Sequence, residues 1–185
     1  RIAAITKILL ENPNKIMSLN NFTLMFNTAK STVSEDILVV KDTLNKFQMG
    51  RIDTISGASG GIKYVCGISS EKRREFAEKL CIILKNRERI IPGNFLYMTD
   101  IMFNPAIIHV AGVVLASIFI EKDIDYVVTV ETKGIPLAYE VARMMGVQLV
   151  VVRREQKFTE GSTLTINMFQ VLREEFKLCL YLKKH

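Results

Sequence analysis

Apolar residues recur at helical spacing three times at the start of the chain. Ile2, Ile5 and Leu9 share one face, closed by Asn12-Pro13-Asn14. Ser18 suits the cap of a second helix carrying Leu19, Phe22, Met25 and Phe26. After Asn27-Thr28-Ala29, the positions Val33, Ile37, Val40 and Leu44 mark a third and longer helix. The period then changes: residues 52–56 and 62–66 read as two short strands around Gly57-Ala-Ser-Gly-Gly61. Residues 71–84 return to helical spacing, with Phe76, Leu80, Ile83 and Leu84 on one side, and predict a packed helical connection. Residues 105–120 form the most apolar segment, shorter than a membrane span, and predict a core helix. Tyr126 to Val130 is a β-branched run that enters a loop containing Gly134. Pro136 opens the next helix, which carries Ala138, Val141, Ala142 and Met145 and stops at Gly146, and residues 148–152 form another apolar run. Strand, helix and strand make a βαβ unit, whose strands are parallel and whose crossover is right-handed.

Three helices followed by a glycine-tipped hairpin is the element order of a winged helix, in which helix three enters the major groove and the hairpin lies against the backbone. Lys30, Ser31, Thr32 and Ser34 stand at the start of that helix, with the chemistry to reach phosphates or base edges. In the hairpin, Gly57, Ser59 and Gly60 are small enough for close approach to DNA and Lys63 adds charge. Plainer readings exist: Ser31 or Ser34 caps the helix, Glu35 and Asp36 repel phosphate if they face it, and some winged helices bind proteins. Farther on, Glu131, Thr132, Lys133 and Gly134 lie between a strand and a helix start. Free amides, the positive end of the helix dipole and the Lys133 charge together make an anion cradle suited to phosphate or pyrophosphate. The alternative is an ordinary strand-to-helix turn.

Composition narrows the class. A chain of 185 residues, 24% charged and 49% hydrophobic, is long enough for one large or two small globular domains. The net charge of +6 is moderate, so any preference for a polyanion rests on local placement. Residues 1–67 hold 8 basic and 5 acidic side chains and residues 68–169 hold 13 and 12, which makes the first third the more basic part. Cys66, Cys81 and Cys179 are too few and too far apart for a metal knuckle or a disulfide framework. Reduced thiols in a cytoplasmic protein are the expectation, with no membrane partner. The chain starts at Arg1 and its last 16 residues break the preceding pattern, so a fragment is expected.

Five stretches carry a resemblance: Ala29-Lys-Ser-Thr-Val-Ser-Glu-Asp36; Gly57-Ala-Ser-Gly-Gly-Ile-Lys-Tyr64; Pro92-Gly93 with Tyr97-Met-Thr-Asp100; Thr129-Val-Glu-Thr-Lys-Gly-Ile-Pro-Leu-Ala138; and Thr159-Glu-Gly-Ser-Thr163. Together and in this order they resemble the purine operon repressors of Gram-positive bacteria, over residues 1–169. The resemblance implies an α/β chain, α+β overall. A winged-helix DNA-binding domain over 1–67 is followed by the first part of a parallel-sheet, phosphoribosyltransferase-like effector domain over 68–169, then an aberrant tail over 170–185. It further implies a homodimeric repressor that binds double-stranded operator DNA near purine biosynthesis and salvage genes. Phosphoribosyl pyrophosphate is then its effector, with no cofactor, no metal and no catalytic residue, because the phosphoribosyltransferase fold serves as a sensor.

By the same resemblance Lys30 to Glu35 form the operator-reading helix start, residues 57–63 the wing and residues 131–134 the pyrophosphate loop. Arg153, Arg154 and Lys157 add charge beside the ligand, and Phe95 or Tyr97 stacks on a base. Two other classes stay open, a purine phosphoribosyltransferase enzyme and a winged-helix protein-interaction module on a nucleotide sensor. The family's ribose-phosphate loop, two acidic residues followed by Gly-Thr, does not occur in this sequence. Truncation after about residue 169 is therefore expected, through a frameshift near that codon. The alternative for the tail is an amphipathic helix with Val171, Leu172, Phe176 and Leu180 covering a sheet edge.

Overall fold

The computed structural model describes residues 1–57 and 59–154, together with the backbone of two strands at 163–169 and 175–181. The first three elements are helices: α1 (Ile2–Glu11), α2 (Leu19–Phe26) and α3 (Lys30–Lys46). Ser18 caps α2 as the sequence indicates, its hydroxyl accepting the Asn20 N–H at 3.2 Å. On α3 the buried set includes Val33, Ile37, Val40 and Leu44, the four positions the periodicity selects. They close over Ile5, Leu9 and Phe22, which are fully buried.

An antiparallel hairpin follows, β1 (Arg51–Ile55) with β2 (Gly61–Val65), each strand one residue earlier than the sequence placed it. Alternation identifies strands but does not fix their ends. The pattern also gave no sign of a third strand position. Met17 bridges Ile62 with bonds of 2.8 and 2.9 Å, tying the segment between α1 and α2 to the hairpin. A Cβ on Gly61 would lie 2.2 Å from the Met17 carbonyl oxygen, so only glycine permits this pairing.

Asp36 is buried on α3 and ion-paired with Arg1, whose Nη2 lies 3.1 Å from Asp36 Oδ1. The hydrogen bond from Arg1 outweighs the opposing effect of burial and holds the carboxyl below the ordinary aspartate range. A lowered folded-state pKa stabilises the fold above the unfolded value near pH 4, and that contribution is lost as pH falls through the folded value. Acid titration of unfolding should therefore show stability falling below about pH 4, and less so in Asp36→Asn. An unchanged acid limb in that variant would count against the pair.

Beyond the hairpin, α4 (Ser70–Leu84) begins at Ser69, whose hydroxyl accepts the Lys72 N–H at 3.2 Å. None of its residues is buried, and Ile82 is 72% exposed. This corrects the expectation of a packed connection, because an amphipathic pattern specifies an apolar face without specifying what covers it. A small hairpin, β3 (Ile90–Ile91) with β4 (Phe95–Leu96), precedes α5 (Thr99–Met102) and α6 (Pro105–Phe119). Asn104 caps α6, accepting N–H groups of Ala106 and Ile107. Only Ile108, Gly112 and Ala116 of α6 are buried, one stripe at four-residue spacing, so this apolar helix is covered along one side rather than embedded in a core.

The βαβ unit is formed by β5 (Tyr126–Val130), α7 (Ile135–Met145) and β6 (Gln148–Arg153), with Val127 opposite Leu149 and Val130 opposite Val152 in parallel register. α6 packs on α7 so closely that a Cβ on Gly112 would fall 2.6 Å from Glu140 Cβ. Beside that contact Glu140 binds Arg143 at 2.6 Å and His109 at 2.8 Å. Burial raises the Glu140 carboxyl, but these two partners outweigh it and hold it below its ordinary range.

The sheet continues with β7 (Thr163–Phe169) and β8 (Glu175–Tyr181) in the order β5-β6-β8-β7. β8 pairs antiparallel with β6 and β7, so the sheet is parallel only at β5–β6. The helical alternative for the tail fails here: Phe176, Leu178 and Leu180 alternate with Lys177 and Cys179 at the period of a strand. The tail does pair along the β6 edge. Its residues 170–174 and 182–185 lie outside the described residues.

One hydrophobic cluster crosses the molecule, joining Ile5, Leu9 and Tyr64 to Ala116, Val141, Met144 and Met145. Among the described residues no helix is long and apolar enough to cross a membrane.

Candidate nucleic-acid interface and anion loop

The start of α3 is open. Its N-cap is Ala29, which has no side-chain acceptor, so the first amides of the helix lack a capping partner. Neither serine caps it: the Ser34 hydroxyl donates to the Lys30 carbonyl at 2.9 Å, and Ser31 is exposed. Lys30 is exposed too, while Thr32 and Ser34 are half-buried. Asp36 faces inward onto Arg1, which removes one of the two carboxylates that would repel a phosphate; Glu35 remains exposed.

The wing is a tight turn. Gly57 has a φ of +119°, a region side chains rarely adopt, and the Gly60 N–H bonds the Gly57 carbonyl at 3.0 Å. A Cβ on Gly60 would lie 2.4 Å from the Ile55 carbonyl, so the tip must be small. Ser59 is exposed and Lys63 half-buried, opposite Asp53 on β1. Arg51 occupies that aspartate at 2.9 Å and also reaches Glu121 at 2.7 Å, so among the described residues no ion pair involves Lys63.

In the second module the loop 131–134 joins β5 to α7, whose N-cap is Gly134 with no side-chain capping bond. A Cβ on Gly134 would fall 2.7 Å from Thr129 Oγ1. The peptide between Glu131 and Thr132 is cis. Glu131 is engaged with the end of β6: its N–H bonds Val152 at 2.9 Å, and its carboxylate accepts the Arg154 N–H at 3.1 Å and lies 3.9 Å from Arg153 Nη1. Arg153 therefore reaches the loop, through Glu131. Thr132 and Lys133 are exposed.

Tyr97 is not brought into this set. It follows the β3–β4 hairpin, where its N–H bonds Arg89 at 2.7 Å and Arg89 in turn holds Asp100. No hydrogen bond or ion pair among the described residues links Tyr97 to the loop. Lys157 lies outside the described residues. Two long-range structural contacts escaped the sequence: Met17, which splices the hairpin to the helices, and Asn14, which bonds the Met145 carbonyl at the end of α7. The Asn-Pro-Asn signal marks a turn but not what the turn touches.

Residues 1–66 match the family described as bacterial purine repressor, N-terminal. The chain is 41% identical over 167 residues to the probable purine biosynthesis transcriptional regulator PurR of Streptococcus pneumoniae, covering 90% of the chain and 61% of that protein. It is 41% identical to the purine biosynthesis transcriptional repressor PurR of Bacillus subtilis, covering 90% of the chain and 59% of the relative. It is 35% identical to the purine biosynthesis transcriptional activator PurR of Lactococcus lactis, covering 90% and 62%. The chain thus spans about three fifths of the length of the curated relatives it matches. Its first 66 residues are thus similar to the amino-terminal part of bacterial purine repressors, and 167 of its residues to proteins named as purine biosynthesis transcriptional regulators.

Proposed function

We propose that this chain is a transcriptional repressor of purine biosynthesis and salvage genes. It binds double-stranded operator DNA in the cytoplasm as a homodimer, through the start of α3 and the wing. The observation that carries the reading is the family match of residues 1–66 onto a fold whose third helix begins exposed and uncapped at Lys30. Lys30, Ser31, Thr32 and Ser34 address the major groove, and Gly57, Ser59, Gly60 and Lys63 lie along the phosphates. Relatives named repressor and activator both occur; repression is favoured because the repressor is 41% identical and the activator 35%. An enzymatic role is disfavoured, since these relatives are named as regulators. Selection from a random pool of duplexes tests the reading. Enrichment of one sequence is expected, and uniform retention of the whole pool would contradict it.

Phosphoribosyl pyrophosphate is the proposed effector, its pyrophosphate held by the amides of Thr132 to Gly134, the start of α7 and Lys133. Arg153 and Lys157 supply further charge. Lys133→Ala should leave operator affinity unchanged and weaken effector binding about tenfold, measured by calorimetry on the protein carrying the whole effector domain. Equal effector affinity in that variant removes Lys133 from the site.

A further inference from the structure

We propose that α7 is the strut by which the loop at 131–134 acts on the DNA-binding module, clamped at its far end by Asn14 and Cys66. The proposal rests on the reading of residues 131–134 as an effector loop. The last carbonyls of a helix have no partner within it. In α7 two of them are taken by the other module: Asn14 Nδ2 donates to the Met145 carbonyl at 2.7 Å, and Cys66 Sγ lies 3.9 Å from the Met144 carbonyl. Burial pushes the Cys66 thiol up to about 11, so it keeps the proton it donates. Gly146 ends α7 with a φ of +69°, and a Cβ there would sit 2.9 Å from the Pro13 carbonyl. The turn and the helix end therefore touch backbone to backbone.

The clamp is wired into the wing. The Asn14 N–H bonds the Tyr64 carbonyl at 2.7 Å, and Met17 bridges Ile62, both on β2. At its other end α7 starts at Ile135 behind its N-cap Gly134, which follows Lys133 directly. A helix of 11 residues rises about 16 Å, so the loop and the clamp are two ends of one rigid element. Val141, Met144 and Met145 share a core with Ile5 and Leu9, which carries any displacement of the helix into the winged helix. Filling the loop biases the position of α7, and the clamp converts that bias into a change at the wing. Linkage requires the reverse as well: operator binding must alter the loop.

Two variants separate this role from general packing. Asn14→Gly suits the φ of +59° at that position and removes only the amide, whereas Gly146→Ala sets a methyl group against Pro13. Hydrogen exchange of residues 131–146 in the full chain, with and without operator duplex, is read alongside operator affinity with and without phosphoribosyl pyrophosphate. In the wild type, operator binding slows exchange across α7. Both variants should bind operator within about threefold of wild type and lose that response, together with about fivefold or more of the effector's influence on DNA affinity. Variants that keep the full response, or a wild type whose α7 ignores operator, overturn the strut. If phosphoribosyl pyrophosphate does not bind but the exchange response is present and needs Asn14, the effector assignment fails and the strut stands.

Discussion

Phe22→Ala is expected to remove about 3–5 kcal/mol of stability, the range for deleting a buried aromatic ring whose surroundings relax only in part. Phe22 is 0% exposed and stacks on Phe26 with ring centroids 6.5 Å apart. It also lies in the cluster containing Val33 and Ile37, which set the position of α3. Domains of this size hold only about 5–15 kcal/mol in total, so the loss would leave a large unfolded fraction and should abolish operator binding indirectly. Urea unfolding followed by circular dichroism measures it. A loss below about 1 kcal/mol would mean that Phe22 is not a keystone of the three-helix core.

Lys30→Glu should lower affinity for operator by roughly tenfold to hundredfold without loss of stability, because it replaces a cation with an anion at the helix end proposed to enter the groove, where the helix dipole itself favours an anion. Lys30 is exposed on the first turn of an uncapped helix and makes no ion pair among the described residues, so no folded-state contact is lost. The pattern of loss identifies its partner. A uniform loss across duplex sequences, with the salt dependence reduced by about one unit, marks a phosphate contact. Loss of preference at a single base pair marks a base contact. Affinity within about twofold of wild type would take Lys30 out of the interface.

The parts of the fold set by local periodicity were legible in the sequence. Val33, Ile37, Val40 and Leu44 can all be buried only if residues 30–46 are helical, and Gly146 can take its φ of +69° at no side-chain cost. Long-range contacts were not legible. Nothing in Ser18 or Ile62 announces the Met17 bridge, and Asn12-Pro13-Asn14 reads as a turn whether or not it docks on α7. The α4 face misled for a related reason: spacing shows that Phe76 and Leu80 share a side, yet coverage depends on distant residues. In the candidate sites, the glycines of the wing and of the anion loop were legible as turn residues, each with its own physical reason: Gly57 takes a φ of +119°, a Cβ on Gly60 would collide with the Ile55 carbonyl, and one on Gly134 with Thr129. The inward turn of Asp36 and the engagement of Glu131 with Arg153 and Arg154 depend on partners 35 and about 23 residues away, which no local pattern encodes.

The most direct test of the central claim is operator affinity as a function of salt, comparing duplex from upstream of purine biosynthesis genes with a scrambled duplex of equal length. A dimer that reads a site should bind the operator at least about a thousandfold more tightly than the scrambled duplex. Affinity for both should fall steeply between about 50 and 200 mM salt as counterions are released. Equal affinity for the two duplexes, or binding that salt does not weaken, would contradict sequence-specific DNA recognition by residues 1–66.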